Sequence, residues 1–247
     1  MEFLELLAFL GIGLFSGFWS GMFGIGGGSI KIPLLTLTGM PLINAFATNM
    51  LAIPFSSITG AVVQRKNIDW RVARFFTTGG VLGIIVATFF ANIFPSYILA
   101  LIFVTAAIFT IFGLYLDEFN HNLYESIHPS RRNLFLFPFF GNLIIGLRGG
   151  SGGTIFPPLL RMLHVRMHSA VATSLFTSVF AAIFALAIYF INGVILILLG
   201  LVVGAGALVG SFIGSKVSLN TEEKWLKFGL SCMVVIFAFI VLYKEFF

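Results

Sequence analysis

Along the 247 residues, apolar positions follow neither the two-residue alternation of a half-buried strand nor the one-sided stripe of a surface helix. Continuous apolar stretches lie near 6–23, 42–63, 72–93, 97–116, 134–147, 170–191, 194–215 and 226–243. Most approach the roughly 20 residues that a helix needs to cross the hydrocarbon core. Two further segments, 24–40 and 149–165, are apolar but interrupted by glycine and proline. A β-barrel would show alternation within strands of roughly ten residues, whereas Leu101 to Leu116 and Val194 to Val203 are apolar throughout. The pattern predicts an all-α polytopic membrane protein. The longest polar interval, 117–133, reads as a connector between a first transmembrane repeat, 1–116, and a second, 134–247.

The two halves are copies. Residues 24–49 align without a gap onto 149–174 at a constant offset of 125, with ten of 26 positions identical. Among these are Gly24/Gly149, Gly27/Gly152, Gly28/Gly153, Pro33/Pro158, Ala47/Ala172 and Thr48/Thr173. Beyond this block the register slips by about two residues, and Gly79, Gly83 and Ala87 match Gly206, Gly210 and Gly214.

Composition agrees with a bilayer. The chain is 59% hydrophobic and 9% charged, against about 25% charged in soluble domains, which leaves no room for a separate soluble catalytic domain. The lone cysteine, Cys232, excludes an internal disulfide and a cysteine-based zinc site. Residues 1–5 lack the basic start of a signal peptide, so the first apolar run is expected to remain as a span. The net charge of +5 sits in short loops, where the positive-inside rule accounts for it without nucleic acid. That rule also decides the arrangement of the repeats. Four full spans per half, with no crossing added by the Gly-rich segments, put seven Lys and Arg residues inside and five outside. A return through part of the membrane at each Gly-rich segment changes the count to eleven inside and only Lys244 outside. Five passes per half force inversion, so the expectation is two inverted repeats, each with about four full spans and a broken or hairpin element.

The breaks are the candidate site. They read Gly24-Ile25-Gly26-Gly27-Gly28-Ser29-Ile30-Lys31-Ile32-Pro33 and Arg148-Gly149-Gly150-Ser151-Gly152-Gly153-Thr154-Ile155-Phe156-Pro157-Pro158. Irregular backbone at membrane depth is tolerated where it is buried in protein or lines a cavity. Ser29 and Thr154 are expected to cap half-helices, with Pro33 and Pro158 near their starts as helix-break residues. A helix N-terminus offers unpaired N–H groups and partial positive charge, which suits an anion. Gly26, Gly27, Gly28, Ser29, Gly150, Ser151, Gly152, Gly153 and Thr154 would form the cradle. Lys31 and Arg148 are each the one cation of an apolar neighbourhood, and burying such a charge costs about 2.5–3.5 kcal/mol on insertion scales. An anionic substrate would offset that cost; snorkelling or carbonyl bonds are the plainer alternative. Thr48, Asn49, Thr173 and Ser174 begin the following spans and are further candidate donors, or else bond between helices. Gly206-x3-Gly210-x3-Gly214 is expected to be a packing face. His164 and His168 read as basic loop residues rather than metal ligands, Asp69 as a capping carboxylate, and no Walker A spacing is present. No metal or other cofactor is expected.

At these residues the chain resembles the TauE/SafE family of membrane permeases. The resemblance rests on GIGGG-x4-PLL followed by AxATN (Gly24 to Asn49), GGxGG-x4-PLL followed by AxATS (Gly149 to Ser174), and the Asn67-Ile68-Asp69-Trp70 turn. Lys66 stands where a glycine often precedes that turn, and the equivalent Asn192-Gly193-Val194 lacks the aspartate. The resemblance implies a multi-pass transporter of the cytoplasmic membrane whose Gly-rich segments line the pathway, with a sulfur oxyanion or organosulfonate as the substrate class. The partners expected are therefore a small anion, the lipid bilayer and a coupling ion, proton or sodium. An anion channel using the same cradle is the alternative. A membrane-embedded enzyme is disfavoured, since Cys232 has no nearby histidine or carboxylate to activate it.

Overall fold

The computed structural model describes residues 3–90, 95–147 and 149–246. Every regular element among them is helical. The first half comprises α1 (Phe3–Phe23), a ten-residue α2 (Gly28–Leu37), α3 (Leu42–Val63), α4 (Trp70–Phe90) and α5 (Ser96–Leu114). Two short helices, α6 (Leu116–Phe119) and α7 (His121–Ser126), occupy the polar connector. The second half repeats the succession as α8 (Arg131–Gly146), a seven-residue α9 (Phe156–Met162), α10 (Met167–Ile191), α11 (Ile197–Asn220) and α12 (Glu223–Phe246). Among the described residues, five helices, α1, α3, α4, α10 and α11, are long and apolar enough to cross a membrane by length and composition. Their outward faces are apolar, as on Leu14, Phe89, Phe184 and Leu208, while Trp70 and Trp225 stand exposed at the starts of α4 and α12 as interfacial anchors do.

Equivalent helices make equivalent contacts across the halves. The first helix of one half packs on the fourth of the other, α1 on α11 and α8 on α4. The third packs on the opposite fourth, α3 on α11 and α10 on α4, while α3 meets α10 and α5 meets α12. Glycine brings these backbones together. Gly13, Gly17 and Gly21 of α1 lie against Val203, Ala207 and Ser211, and Gly206, Gly210 and Gly214 of α11 lie against Leu10, Leu14 and Phe18. Gly79 and Gly83 of α4 meet Phe135 and Phe139 of α8 in the same way. With lipid as apolar as leucine, close van der Waals contact is what holds such helices together. The Gly206, Gly210 and Gly214 stripe is thus a packing face, as its spacing predicted.

These contacts also give the run of each helix. Residue numbers rise together between α1 and α11, and between α3 and α11 (Leu51 by Gly200, Phe55 by Gly204, Gly60 by Ser211). They rise together between α4 and α8, and between α4 and α10, where Asp69 meets Thr173 and Thr77 meets Thr177. Between α3 and α10 they run oppositely: Asn44 bonds Val194 O and Gly60 faces Leu175. One set, α1, α3 and α11, therefore opposes the other, α4, α8 and α10. Since α1 and α3 share a direction, residues 24–41 must carry the chain back from the end of one to the start of the other. Residues 149–166 do the same between α8 and α10.

One end of the bundle is polar. There the connector meets the 163–166 turn, where the His164 ring Nε2 bonds Tyr124 O at 3.1 Å and Ile127 O at 2.9 Å. His168 bonds Thr221 O beside it. Asp69 caps α4 through bonds to Oδ1 from the backbone N–H groups of Arg71 and Val72, the role its sequence position suggested.

Candidate functional site

The two breaks share one backbone design. Gly24 and Gly149 have φ of 75° and 71°, Gly27 and Gly152 of 77° and 74°. That left-handed region costs other residues about 1–2 kcal/mol. The carbonyl of Gly27 accepts from Ile30 N and Lys31 N, and that of Gly152 from Ile155 N and Phe156 N, so both half-helices begin with the same pair of bonds. The amides of Gly28, Ser29, Gly153 and Thr154 precede the first helical bond in each. Neither half-helix has a side-chain cap. This corrects the expected role of Ser29 and Thr154. Gly27 and Ile155 hold the cap positions, and the Ser29 and Thr154 hydroxyls instead hydrogen-bond to each other.

That pair joins residues 125 apart, the repeat offset itself, so the breaks cross at equivalent points. The crossing is tight: a Cβ on Gly26 would stand 2.9 Å from Ser151 Oγ, and one on Gly153 would run into the Ile25 carbonyl. Each break is clamped by the other half's third helix. Asn49 Nδ2 donates to Gly149 O at 3.0 Å, and Ser174, the equivalent of Asn49, donates to the equivalent Gly24 O. Gly28 packs on the Asn49 amide, and Gly26 lies close to Ser178. Asn49 lies two turns into α3 and Ser178 near the middle of α10, which places the crossing inside the bundle, away from both its ends.

The structure brings together Gly26, Gly27, Gly28, Ser29, Asn49, Ser151, Gly152, Gly153, Thr154 and Ser174, all buried. Thr48 and Thr173 point elsewhere. Thr48 reaches the Met40 sulfur at 3.7 Å, and Thr173 accepts from Asp69 N at 3.2 Å. Neighbours on a helix differ by a hundred degrees or so of rotation, so Asn49 and Ser174 take the inward direction in their place. Gly150 packs on Ile145 of α8. Pro33 lies inside α2, beyond its first turn, and Pro158 in the first turn of α9.

Lys31 is fully buried, and its ammonium donates to Gly26 O at 3.1 Å. A Cβ on Gly27 would meet both that ammonium, at 3.0 Å, and Ser16 O, at 3.1 Å. The cation thus braces the first break from the α1 side, partnered by carbonyl oxygen. Arg148 lies outside the described residues.

Two polar groups at the crossing escaped sequence reading. Asn142 of α8 donates to Gly80 O at 2.7 Å, while its Oδ1 is buried without a partner, 2.5 Å from where a Cβ on Gly152 would stand. Ser178 lies one turn beyond Ser174, and its hydroxyl is likewise unpartnered, as are Ser151 Oγ and Asn49 Oδ1. A lone amide in Phe139-Phe140-Gly141-Asn142-Leu143 and the four-residue spacing of Ser174 and Ser178 were the available signals. At the polar end, Asp117 binds Arg161 of α9 at 3.0 Å and Lys227 of α12 at 3.3 Å, fastening the second half-helix to the connector. Beside it, burial raises the pKa of the Tyr124 hydroxyl, and the Arg161 charge opposes part of the rise.

The sulfite exporter TauE/SafE family matches residues 9–241. The chain is 28% identical over 233 residues to the probable membrane transporter protein ORF9 of a Sinorhizobium species, covering 90% of this chain and 87% of that one. It is 26% identical to a probable membrane transporter protein of Haemophilus influenzae, covering 98% and 94%. No solved structure matches it. The family match runs from within α1 to within α12, both breaks included, and the chain belongs to the TauE/SafE family of multi-pass membrane transporters, which are not enzymes.

Proposed function

We propose that the chain is a secondary transporter of a small anion, a sulfur oxyanion such as sulfite or an organosulfonate, working by alternating access around the crossed breaks in the cytoplasmic membrane. The observation that carries this reading is the Ser29 and Thr154 contact. It joins the starts of two half-helices inside the bundle, where broken-helix transporters built from inverted repeats hold their substrates. Inversion is supported by the helix directions, since each of α1, α3 and α4 runs opposite to its repeat partner α8, α10 and α11. The count of basic residues favours the same arrangement, eleven on one side and Lys244 on the other when five passes are assumed in each half.

An anion at the crossing would meet the amides of Gly28, Ser29, Gly153 and Thr154, the Ser151 and Ser178 hydroxyls, and positive charge from Lys31. The clamps from Asn49 and Ser174 let either half release the other's break while keeping its own, so the halves can rock about the contact. A proton or sodium gradient would drive the cycle. The test is uptake of radiolabelled sulfite, thiosulfate and sulfoacetate into proteoliposomes under imposed pH and sodium gradients. Saturable uptake of at least one, driven by one gradient, is expected. Electrical conductance without saturation would identify a channel, and no flux of any of the three would remove sulfur anions as substrates.

A further inference from the structure

Away from the crossing, a second group of buried polar side chains lies between α1, α3 and α11 toward the polar end. Gln64 donates through Nε2 to Gly21 O at 2.8 Å, Ser215 Oγ reaches the same carbonyl at 3.3 Å, and Ser211 Oγ donates to Ser56 O at 2.6 Å. Gly21 and Gly60 let the three helices close tightly on this group. A Cβ on either would stand 2.8 Å or 3.1 Å respectively from both Ser211 Oγ and Ser215 Oγ. Ser20 and Ser57 continue the group inward and Ser218 outward. All are at most 1% exposed, yet Ser20 Oγ, Ser57 Oγ, Ser218 Oγ and Gln64 Oε1 have no hydrogen-bond partner.

The duplicated scaffold is less polar at the equivalent junction. The equivalents of Ser20, Ser56, Ser57, Gly60 and Gln64 are Ile145, Ala181, Ala182, Ala185 and Tyr189, and those of Ser211 and Ser215 are Ile84 and Thr88. The second copy places isoleucine and alanine at five of these seven positions, with Thr88 bonded to Ile84 O and the Tyr189 hydroxyl unpartnered at the other two. The first gathers three unpaired serine hydroxyls and the unpaired Gln64 Oε1, each burdened by lost hydration. Gln64 also lines an open cavity of about 570 Å³ at the polar end, together with Arg65, Lys66, Asn67 and Leu219. The inner end, at Ser20, is one turn from Ser16, whose carbonyl lies beside Lys31 at the first break.

We propose that this seam is the anion's access route between the polar face and the crossing, with the Gln64 amide on Gly21 O as its gate. The inference rests on the anion-transporter reading. Hydroxyl groups donate to an oxyanion at no cost in charge, and Arg65 and Lys66 at the mouth concentrate anions. A cation route would be expected to carry carboxylates, and none of the described residues lining the mouth or the seam is acidic.

Because Cys232 is the single cysteine, a Cys232→Ala background reports on one introduced thiol at a time. Ser218→Cys, Ser57→Cys and, as the equivalent apolar control, Ala182→Cys are purified in detergent. Each is treated with a methanethiosulfonate carrying either a sulfonate or a trimethylammonium group. The expected result is labelling of Ser218→Cys and Ser57→Cys, faster with the sulfonate reagent, and little at Ala182→Cys. Adding Lys66→Gln should slow labelling by the sulfonate reagent by up to about fivefold, the worth of one near charge in water, and should not slow the trimethylammonium reagent. Labelling of the seam no faster than at Ala182→Cys would overturn the route, and so would a preference for the trimethylammonium reagent. Labelling needs no transport, so the two readings fail separately. Anion flux through a seam that does not label counts against the route, and a labelled seam without flux of any tested anion counts against the substrate.

Discussion

Ser174→Ala removes one hydroxyl and leaves everything else at the crossing in place. The Gly24 carbonyl then loses the side-chain donor that ties the first break to α10. A buried group stripped of its partner costs about 1–3 kcal/mol, whereas hydrogen bonds between membrane helices average about 0.6 kcal/mol because displaced groups find other partners. Here the carbonyl sits in a left-handed turn packed against Val171, so it cannot turn to a new donor. The loss then falls in the lower part of that 1–3 range, at about 1–2 kcal/mol. For a chain of this size that is about 2–8 °C in Tm. Asn49→Ala, which frees Gly149 O, should do at least as much. The assay is thermal unfolding in detergent, with Thr59→Ala as control, since that hydroxyl bonds only within its own helix, to Phe55 O. Because both clamps hold one crossing, the double variant should depart from additivity by about 0.5 kcal/mol or more. A Ser174→Ala shift no larger than that of Thr59→Ala, with strict additivity in the double variant, would refute the picture of two reciprocal clamps.

Other predictions concern packing, the polar end and the breaks. Asp117→Ala leaves Arg161 and Lys227, with side chains 12% and 11% exposed, without their shared carboxylate. Since Asp117 is itself 28% exposed and Lys227 keeps Glu118, the loss should be about 2 kcal/mol rather than the 3–5 of a fully buried pair, read as a lower Tm. Gly210→Val would push a side chain to within 2.7 Å of Phe18 N and force α1 from α11; a loss of about 3 kcal/mol or more, or failure to yield monodisperse protein, is expected. Gly152→Leu should abolish uptake while the protein remains inserted, because its φ of 74° and its contact with the Asn142 amide leave no place for a side chain.

Much of the fold was legible because bilayer helices are written in continuous apolar runs. The stretch 42–63 is α3 to the residue, and the polar interval 117–133 holds α6, α7 and the start of α8. The glycines of both breaks were legible as well, since positive φ leaves few alternatives at Gly27 and Gly152. Partners across the repeats were not. Ser29 and Thr154 have the residue type and position of caps, and only the crossing gives each hydroxyl a nearer partner in the other. Thr48 matched Thr173 by identity, yet the neighbouring Asn49 and Ser174 make the clamps, because direction on a helix depends on packing that a linear pattern does not carry. The seam was hidden for a related reason. Ser211 and Ser215 each directly follow a glycine of the Gly206, Gly210 and Gly214 spacing, where small residues read as packing.

The most direct test of the central claim is trans-stimulation in proteoliposomes. Vesicles are preloaded with the unlabelled form of whichever sulfur anion gives the greatest uptake, and entry of the labelled form is followed with all gradients collapsed. Alternating access around the crossing predicts that internal anion accelerates labelled entry severalfold, and that Gly152→Leu eliminates the exchange. Entry that is indifferent to the internal anion, or exchange that survives Gly152→Leu in folded protein, would contradict it.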